Sequence, residues 1–150
     1  MLVCRVNYQF NKLFNLSHMN GNKRTILVIE DERPLVQAIE TKLEKNGFTV
    51  VTARTVDQAV GYLEDINDIS AIWLDHYLPG EKTGLDFVAL LKNEGSKWKN
   101  LPLFIVSNTA SRDNVSSYMQ LGVTKYCVKA EHRLDQIVQD VMSSLDKPEK

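Results

Sequence analysis

The stretch TILVIEDERP, residues 25–34, decides the fold class. Its first five residues are β-branched or aliphatic, without the polar alternation of a half-exposed strand. This pattern is typical of a strand covered by helices on both faces of a parallel sheet. Two acidic residues follow, and Pro34 then stands where the first turn of a helix would begin. A strand, an acidic turn and a helix in this order predict the first βα unit of an α/β protein.

The same alternation of apolar strands and helices with apolar spacing of three and four continues along the chain. It predicts five strands that form one doubly wound parallel sheet and five helices that cover its faces. A ligand crevice is expected at the carboxyl ends of the strands. The predicted strands are Thr25 to Ile29, Thr49 to Ala53, Ala71 to Leu74, Leu103 to Val106 and Tyr126 to Val128.

Composition and charge exclude several classes of function. The 150 residues are 43% hydrophobic and 25% charged, which is typical of one globular domain. With 18 Lys+Arg against 19 Asp+Glu, the net charge of −1 argues against a nucleic acid or membrane partner. Two cysteines are too few for a disulfide framework, and no apolar run approaches the roughly 20 residues of a membrane helix, so we expect a cytoplasmic protein.

The sequence predicts three segments. Residues 1–22 form an N-terminal extension that is either flexible or a misassigned start preceding Met19, residues 23–146 form the domain, and residues 147–150 form a tail. Within the extension, Val3, Val6, Phe10 and Leu13 have helical spacing, so a short docking helix is the alternative. Such short helices are marginal in water on their own.

Chemically active side chains follow four of the predicted strands. Glu30 and Asp31 follow the first strand, Asp75 the third, Ser107 the fourth and Lys129 the fifth. Carboxylates brought to one edge repel one another unless a cation lies among them, and a few hard oxygen ligands suit Mg²⁺. A lysine and a hydroxyl facing that metal suit a phosphoryl group.

These residues stand in the segments ILVIEDERP, IWLDHYLPG, IVSNTA and YCVKA, which resemble the receiver domain of two-component response regulators. The resemblance covers about residues 24–145 and includes the order of all the strand-end residues. It implies a flavodoxin-like (βα)5 fold with strand order 2-1-3-4-5, in a stand-alone receiver. It also implies a signalling domain whose own reaction is limited to self-dephosphorylation.

The resemblance implies a role for each residue at the strand ends. Asp75 would accept a phosphoryl group from a histidine kinase or a histidine phosphotransfer protein. Glu30, Asp31, Asp75 and the backbone carbonyl of Tyr77 would bind Mg²⁺. Lys129 would neutralise charge on the transferred group.

The resemblance also implies a conformational switch. Ser107 would move toward the phosphoryl group and Tyr126 would turn inward. The face formed by the fourth helix, the fifth strand and the fifth helix would then change its protein partners downstream.

Two residues depart from the family pattern, and other functions stay open. Ala130 stands where the family usually has proline, and Asn108 where it has alanine or glycine. Both suggest the alternative of a receiver-like binding module that no longer signals by phosphorylation. A flavodoxin-like or phosphatase enzyme is the other alternative, although the acidic residues 30–32 would repel phosphate without a metal. His76 is expected to lie on the surface, since adjacent strand-end residues point to opposite sides.

Overall fold

The computed structural model describes residues 23–147, in which five strands and five helices alternate. A helix follows each strand, and the first four helices return the chain to the start of the next strand. The elements are β1 Thr25–Ile29, α1 Arg33–Lys45, β2 Thr49–Ala53, α2 Val56–Asp65, β3 Ile69–Leu74, α3 Gly84–Lys92, β4 Leu103–Ser107, α4 Arg112–Leu121, β5 Lys125–Val128 and α5 Leu134–Leu145.

All paired strands are parallel, and the sheet order is β2-β1-β3-β4-β5. The prediction of a doubly wound, flavodoxin-like sheet is therefore confirmed. The chain reverses its winding direction between β1 and β3, so the loops after these two strands splay apart at the carboxyl edge. This geometry opens a crevice beside the ends of β1 and β3.

Each face of the sheet has its own apolar core. Within β1, Leu27 and Ile29 belong to the cluster beneath α2, α3 and α4, whereas Ile26 and Val28 belong to the cluster beneath α1 and α5. Both faces of the strand are buried, which explains why its residues are uniformly apolar. The central strands form a rigid support for the residues at their ends.

Local signals in the sequence mark the helix ends. Thr83 caps α3: its hydroxyl accepts a hydrogen bond from the Asp86 amide, and the Asp86 carboxylate accepts one from the Thr83 amide. α4 ends at Gly122, whose φ of +91° lies in the left-handed region that favours glycine. A Thr-x-x-Asp capping box and a glycine after the last helical turn are the usual sequence signals for such helix ends.

The predicted N-terminal extension, residues 1–22, lies outside the described residues, and so does its alternative, the docking helix around Val3 to Leu13. Among residues 23–147, no helix has the length and apolar character needed to cross a membrane.

Candidate functional site

Backbone hydrogen bonds continue past the strand ends and fix the positions of the residues there. The Asp75 amide donates to the carbonyl of Ile29 at 2.9 Å, and the Lys129 amide donates to the carbonyl of Ser107 at 2.8 Å. The Glu30 amide likewise donates to the end of β2 at 3.0 Å. The sheet register therefore places these residues at one edge before any side-chain contact forms.

Three carboxyl groups meet in the crevice. Glu30, Asp31 and Asp75 each offer an oxygen, and these oxygens lie within 4.8 Å of one another. Glu30 is 1% exposed and Asp75 5% exposed, whereas Asp31 is half-buried at the mouth. Hard oxygen donors at this separation fit a divalent cation that keeps several of its waters, as Mg²⁺ does. The residues present therefore fit the metal that the sequence predicts.

Lys129 reaches the same crevice from the end of β5. Its Nζ donates to Oε2 of Glu30 at 2.9 Å and lies 3.5 Å from Oδ2 of Asp75. The side chain is only 15% exposed, so this charge is little screened by solvent. The departure at Ala130 does not prevent this arrangement.

Ser107 lies at the end of β4 and is fully buried. Its Oγ accepts a long hydrogen bond, 3.4 Å, from the Thr109 amide in the loop that leads to α4. The structure thus places a hydroxyl on the strand between β3 and β5, which carry Asp75 and Lys129 at their ends.

The electrostatics of Asp75 reflect its burial. Burial raises the pKa of the Asp75 carboxyl from 3.8 to about 6, and the negative charge of Glu30 contributes to the rise. Lys129 and the backbone amides of Tyr77 and His76 act in the opposite direction. A metal ion beside the carboxylate would favour its ionised, nucleophilic form.

This raised pKa predicts a pH-dependent stability in the absence of metal. Between about pH 4 and about pH 6 the folded chain binds the Asp75 proton more tightly than the unfolded chain, so the free energy of unfolding falls as pH rises. At 1.36 kcal/mol per pKa unit, and after allowing for solvent screening, the loss is about 1–2 kcal/mol. Denaturant unfolding with a chelator checks this: Asp75→Asn should gain stability over the parent at about pH 8 and not at about pH 4. An equal difference at both pH values would contradict it.

The residues around the mouth of the crevice are accessible. The Tyr77 side chain is 56% exposed, and Asn108 and Thr109 are exposed as well. The Tyr77 amide lies 3.5 Å from Oδ1 of Asp75, so the backbone after Asp75 folds over the carboxylate. Metal binding by the Tyr77 carbonyl stays a prediction.

Tyr126, the predicted switch residue, is half-buried. Its hydroxyl donates to the carbonyl of Thr109 at 2.6 Å, and its ring centroid lies 5.8 Å from that of Tyr118 in α4. The side chain therefore bridges β5, the β4–α4 loop and α4.

His76, expected to lie on the surface, is only partly exposed and has two hydrogen-bond partners that the prediction did not include. The ring is half-buried, its Nδ1 lies 2.6 Å from the hydroxyl of Tyr118, and its Nε2 lies 3.2 Å from Nδ2 of Asn114. Burial lowers the pKa of His76. Its two ring nitrogens contact α4, while part of the side chain stays accessible to solvent. A tyrosine on the buried face of α4 was the signal that sequence reasoning missed, because a buried tyrosine hydroxyl usually has a partner.

The fold and the acidic crevice define a doubly wound α/β protein with a candidate phosphoryl and metal site at the carboxyl edge of its sheet. Comparison with known families agrees: residues 26–141 match the response regulator receiver domain. The chain belongs to this family, whose members signal by phosphorylation in two-component systems.

Individual relatives support the same assignment. The chain is 36% identical over 107 residues to the phosphate regulon transcriptional regulatory protein PhoB of Klebsiella pneumoniae, a match that covers 71% of this chain and 45% of the relative. It therefore spans a little under half the length of this relative.

Solved structures show the same fold. A response regulator receiver protein from Pseudomonas putida superimposes with a TM-score of 0.74 at 22% identity, covering 83% of this chain and 99% of the other. The phosphorylated cyanobacterial phytochrome response regulator RcpA superimposes with a TM-score of 0.70 at 25% identity, covering 82% and 91%.

Proposed function

We propose that this chain accepts a phosphoryl group on Asp75 from a phosphohistidine of a kinase or phosphotransfer protein, with Mg²⁺ as cofactor. The observation that carries the proposal is the placement of one nearly buried carboxylate between an acidic pair and a lysine ammonium group. A structural ion pair would not need three clustered carboxylates for one lysine. The relationship to RcpA, solved in its phosphorylated form, supports the same reaction.

The proposed reaction uses few residues. An oxygen of Asp75 attacks phosphorus, the phosphorus–nitrogen bond breaks, and its electron pair leaves with the donor imidazole. Lys129 and the Ser107 hydroxyl then donate hydrogen bonds to the phosphoryl oxygens. Bound between the carboxylates, Mg²⁺ would neutralise charge on the same oxygens, which is the main requirement of phosphoryl transfer.

The direct test of function is transfer from a radiolabelled histidine phosphotransfer domain in the presence of Mg²⁺. Label should pass to this chain, and no label should appear when a chelator is added first. A chain that stays unlabelled by several donors, and by small acyl phosphates, would instead be a receiver-like binding module.

The acidic pair, Glu30 and Asp31, is expected to contribute to Mg²⁺ affinity. Asp31→Ala should weaken Mg²⁺ binding at least tenfold, because a hard cation with few protein ligands depends on each carboxylate. Titration of Mg²⁺ against the fluorescence of Trp73, two residues before Asp75, measures the affinity. Glu32→Ala, in the same loop but outside the carboxylate cluster, is the matched control. Unchanged affinity in Asp31→Ala would show that the metal binds elsewhere.

The exposed residues at the mouth of the crevice are expected to set the rates of labelling by a small acyl phosphate and of hydrolysis. Asn108 is bulkier than the residues the family usually has there, so Asn108→Ala should raise the rate of labelling by a small acyl phosphate several-fold. Tyr77→Ala should mainly change hydrolysis of the acyl phosphate, since a side chain there positions or excludes the attacking water. A tenfold change corresponds to about 1.4 kcal/mol in the barrier. Rates equal to the parent in both variants would show that neither side chain limits access.

We also propose that the output surface is the face formed by α4, β5 and α5. Tyr126 links this face to the loop after Ser107, so a movement of that loop would reach the surface. Amide resonances of this face should shift on phosphorylation. Shifts confined to residues around Asp75 would argue against a switched partner at this face.

A further inference from the structure

His76 is attached to α4 through both of its ring nitrogens. Tyr118 contacts Nδ1 at 2.6 Å and Asn114 contacts Nε2 at 3.2 Å, one helical turn apart on α4. A neutral imidazole donates one hydrogen bond and accepts another, so the two partners satisfy it completely. The residue before His76 is Asp75, so contacts that fix the position of His76 also restrain the backbone next to Asp75.

Tyr118 has little freedom to move. It is fully buried, and a Cβ atom at Gly84 would lie 2.7 Å from its hydroxyl and 3.1 Å from the Asp75 carbonyl. Glycine in the first turn of α3 therefore makes room for the tyrosine hydroxyl directly behind the acceptor residue. The Tyr118 hydroxyl packs between the end of β3 and the start of α3.

Two chains of contacts that both start at Tyr118 consequently join α4 to the phosphoryl site. One runs from Tyr118 through His76 to the backbone of Asp75. The other runs from Tyr118 through the ring of Tyr126 to the Thr109 carbonyl, two residues beyond Ser107. The family resemblance implies a role only for the second route, which uses Ser107 and Tyr126.

We propose that His76 and Tyr118 form a positioning pair that holds the Asp75 loop in its phosphoryl-binding geometry and couples that loop to α4. The inference rests on the proposed function and assigns a regulatory contact to the same site. A loop held in place before the ligand arrives loses less entropy when it binds. Because linkage is reciprocal, occupancy of the site must bias the position of α4 by the same free energy.

The test measures binding of beryllofluoride, an inorganic mimic of a phosphoryl group, together with Mg²⁺, by titration of amide resonances. Tyr118→Phe keeps the ring and removes only the hydroxyl, and His76→Ala removes the other partner. Each variant should bind the mimic about threefold to tenfold more weakly, the range expected for one hydrogen bond. The double variant should bind no more weakly than His76→Ala alone, since that substitution already removes the contact with Tyr118 together with the contact with Asn114.

A second measurement distinguishes coupling between the Asp75 loop and α4 from a general loss of order in the protein. In Tyr118→Phe the shifts that the mimic causes in α4 should shrink, while those around Lys129 persist at saturation. Tyr62→Phe is the matched control, because it removes a tyrosine hydroxyl that accepts from Gln58 in α2, remote from α4. This control should bind like the parent.

The outcomes distinguish the two proposals. If the parent protein binds no mimic, the proposed function fails. If the parent binds and Tyr118→Phe matches it in affinity and in the α4 shifts, the proposed function stands and the positioning pair is refuted. Additive losses in the double variant would also refute it, because the two side chains would then act independently.

Discussion

Asp75→Asn is expected to abolish labelling of this chain by a phosphorylated donor. The amide nitrogen carries no nucleophilic lone pair, and the amide oxygen is a far poorer nucleophile than a carboxylate. The fold should survive, since the substitution is nearly isosteric and removes a carboxylate whose pKa burial has raised to about 6. The measurement is transfer of radiolabel from the donor domain in the presence of Mg²⁺.

The control for this prediction lies at the opposite end of the same strand. Asp68 is exposed just before β3, far from the carboxyl edge, so Asp68→Asn makes the same chemical change outside the site. It should accept label at the parent rate. Label that persists in Asp75→Asn would move the acceptor to another residue.

Lys129→Ala should slow phosphoryl transfer by about a hundredfold, the usual cost of losing one preorganised donor to a developing charge. Its ammonium group lies 2.9 Å from Glu30 and 3.5 Å from Asp75, within reach of a phosphoryl oxygen on Asp75. The substitution removes the ammonium group that competes with a cation for the Glu30 carboxylate, so Mg²⁺ affinity should not fall. Initial rates of labelling at saturating Mg²⁺ measure the effect.

Lys125→Ala is the matched control for Lys129. Lys125 stands on the same strand, but its ammonium group pairs with Asp140 of α5, outside the crevice. Its loss should leave the rate of labelling within about twofold of the parent, because this partly exposed ion pair lies outside the crevice. Equal slowing by both substitutions would indicate a general loss of positive charge and not a specific role of Lys129.

The fold could be predicted because local and global signals agree in this chain. Uniformly apolar strands such as Thr25–Ile29 are explained by the two cores on either face of the sheet. The bounds were less certain: β3 begins at Ile69, two residues before the predicted start at Ala71, because its first two residues are only half-buried. Strand order followed from the family resemblance and is confirmed.

The site could be predicted only where the backbone alone determines position. Carboxyl ends of parallel strands share an edge, so the meeting of Glu30, Asp31 and Asp75 follows from topology. The contact of His76 with Tyr118 depends on where α4 packs, and no local spacing relates residues 42 positions apart. The alternation of side chains along a strand predicted that His76 lies on the other side from the carboxylates. It could not predict that α4 packs on that side.

The proposed phosphoacceptor is tested most directly by intact mass measurement after incubation of the full chain with Mg²⁺ and a small acyl phosphate. The expected result is a mass increase of one phosphoryl group that is lost with hydroxylamine, as an acyl phosphate is, and that fragmentation assigns to Asp75. Absence of the adduct at all times of incubation, or an adduct on a residue other than Asp75, would contradict it.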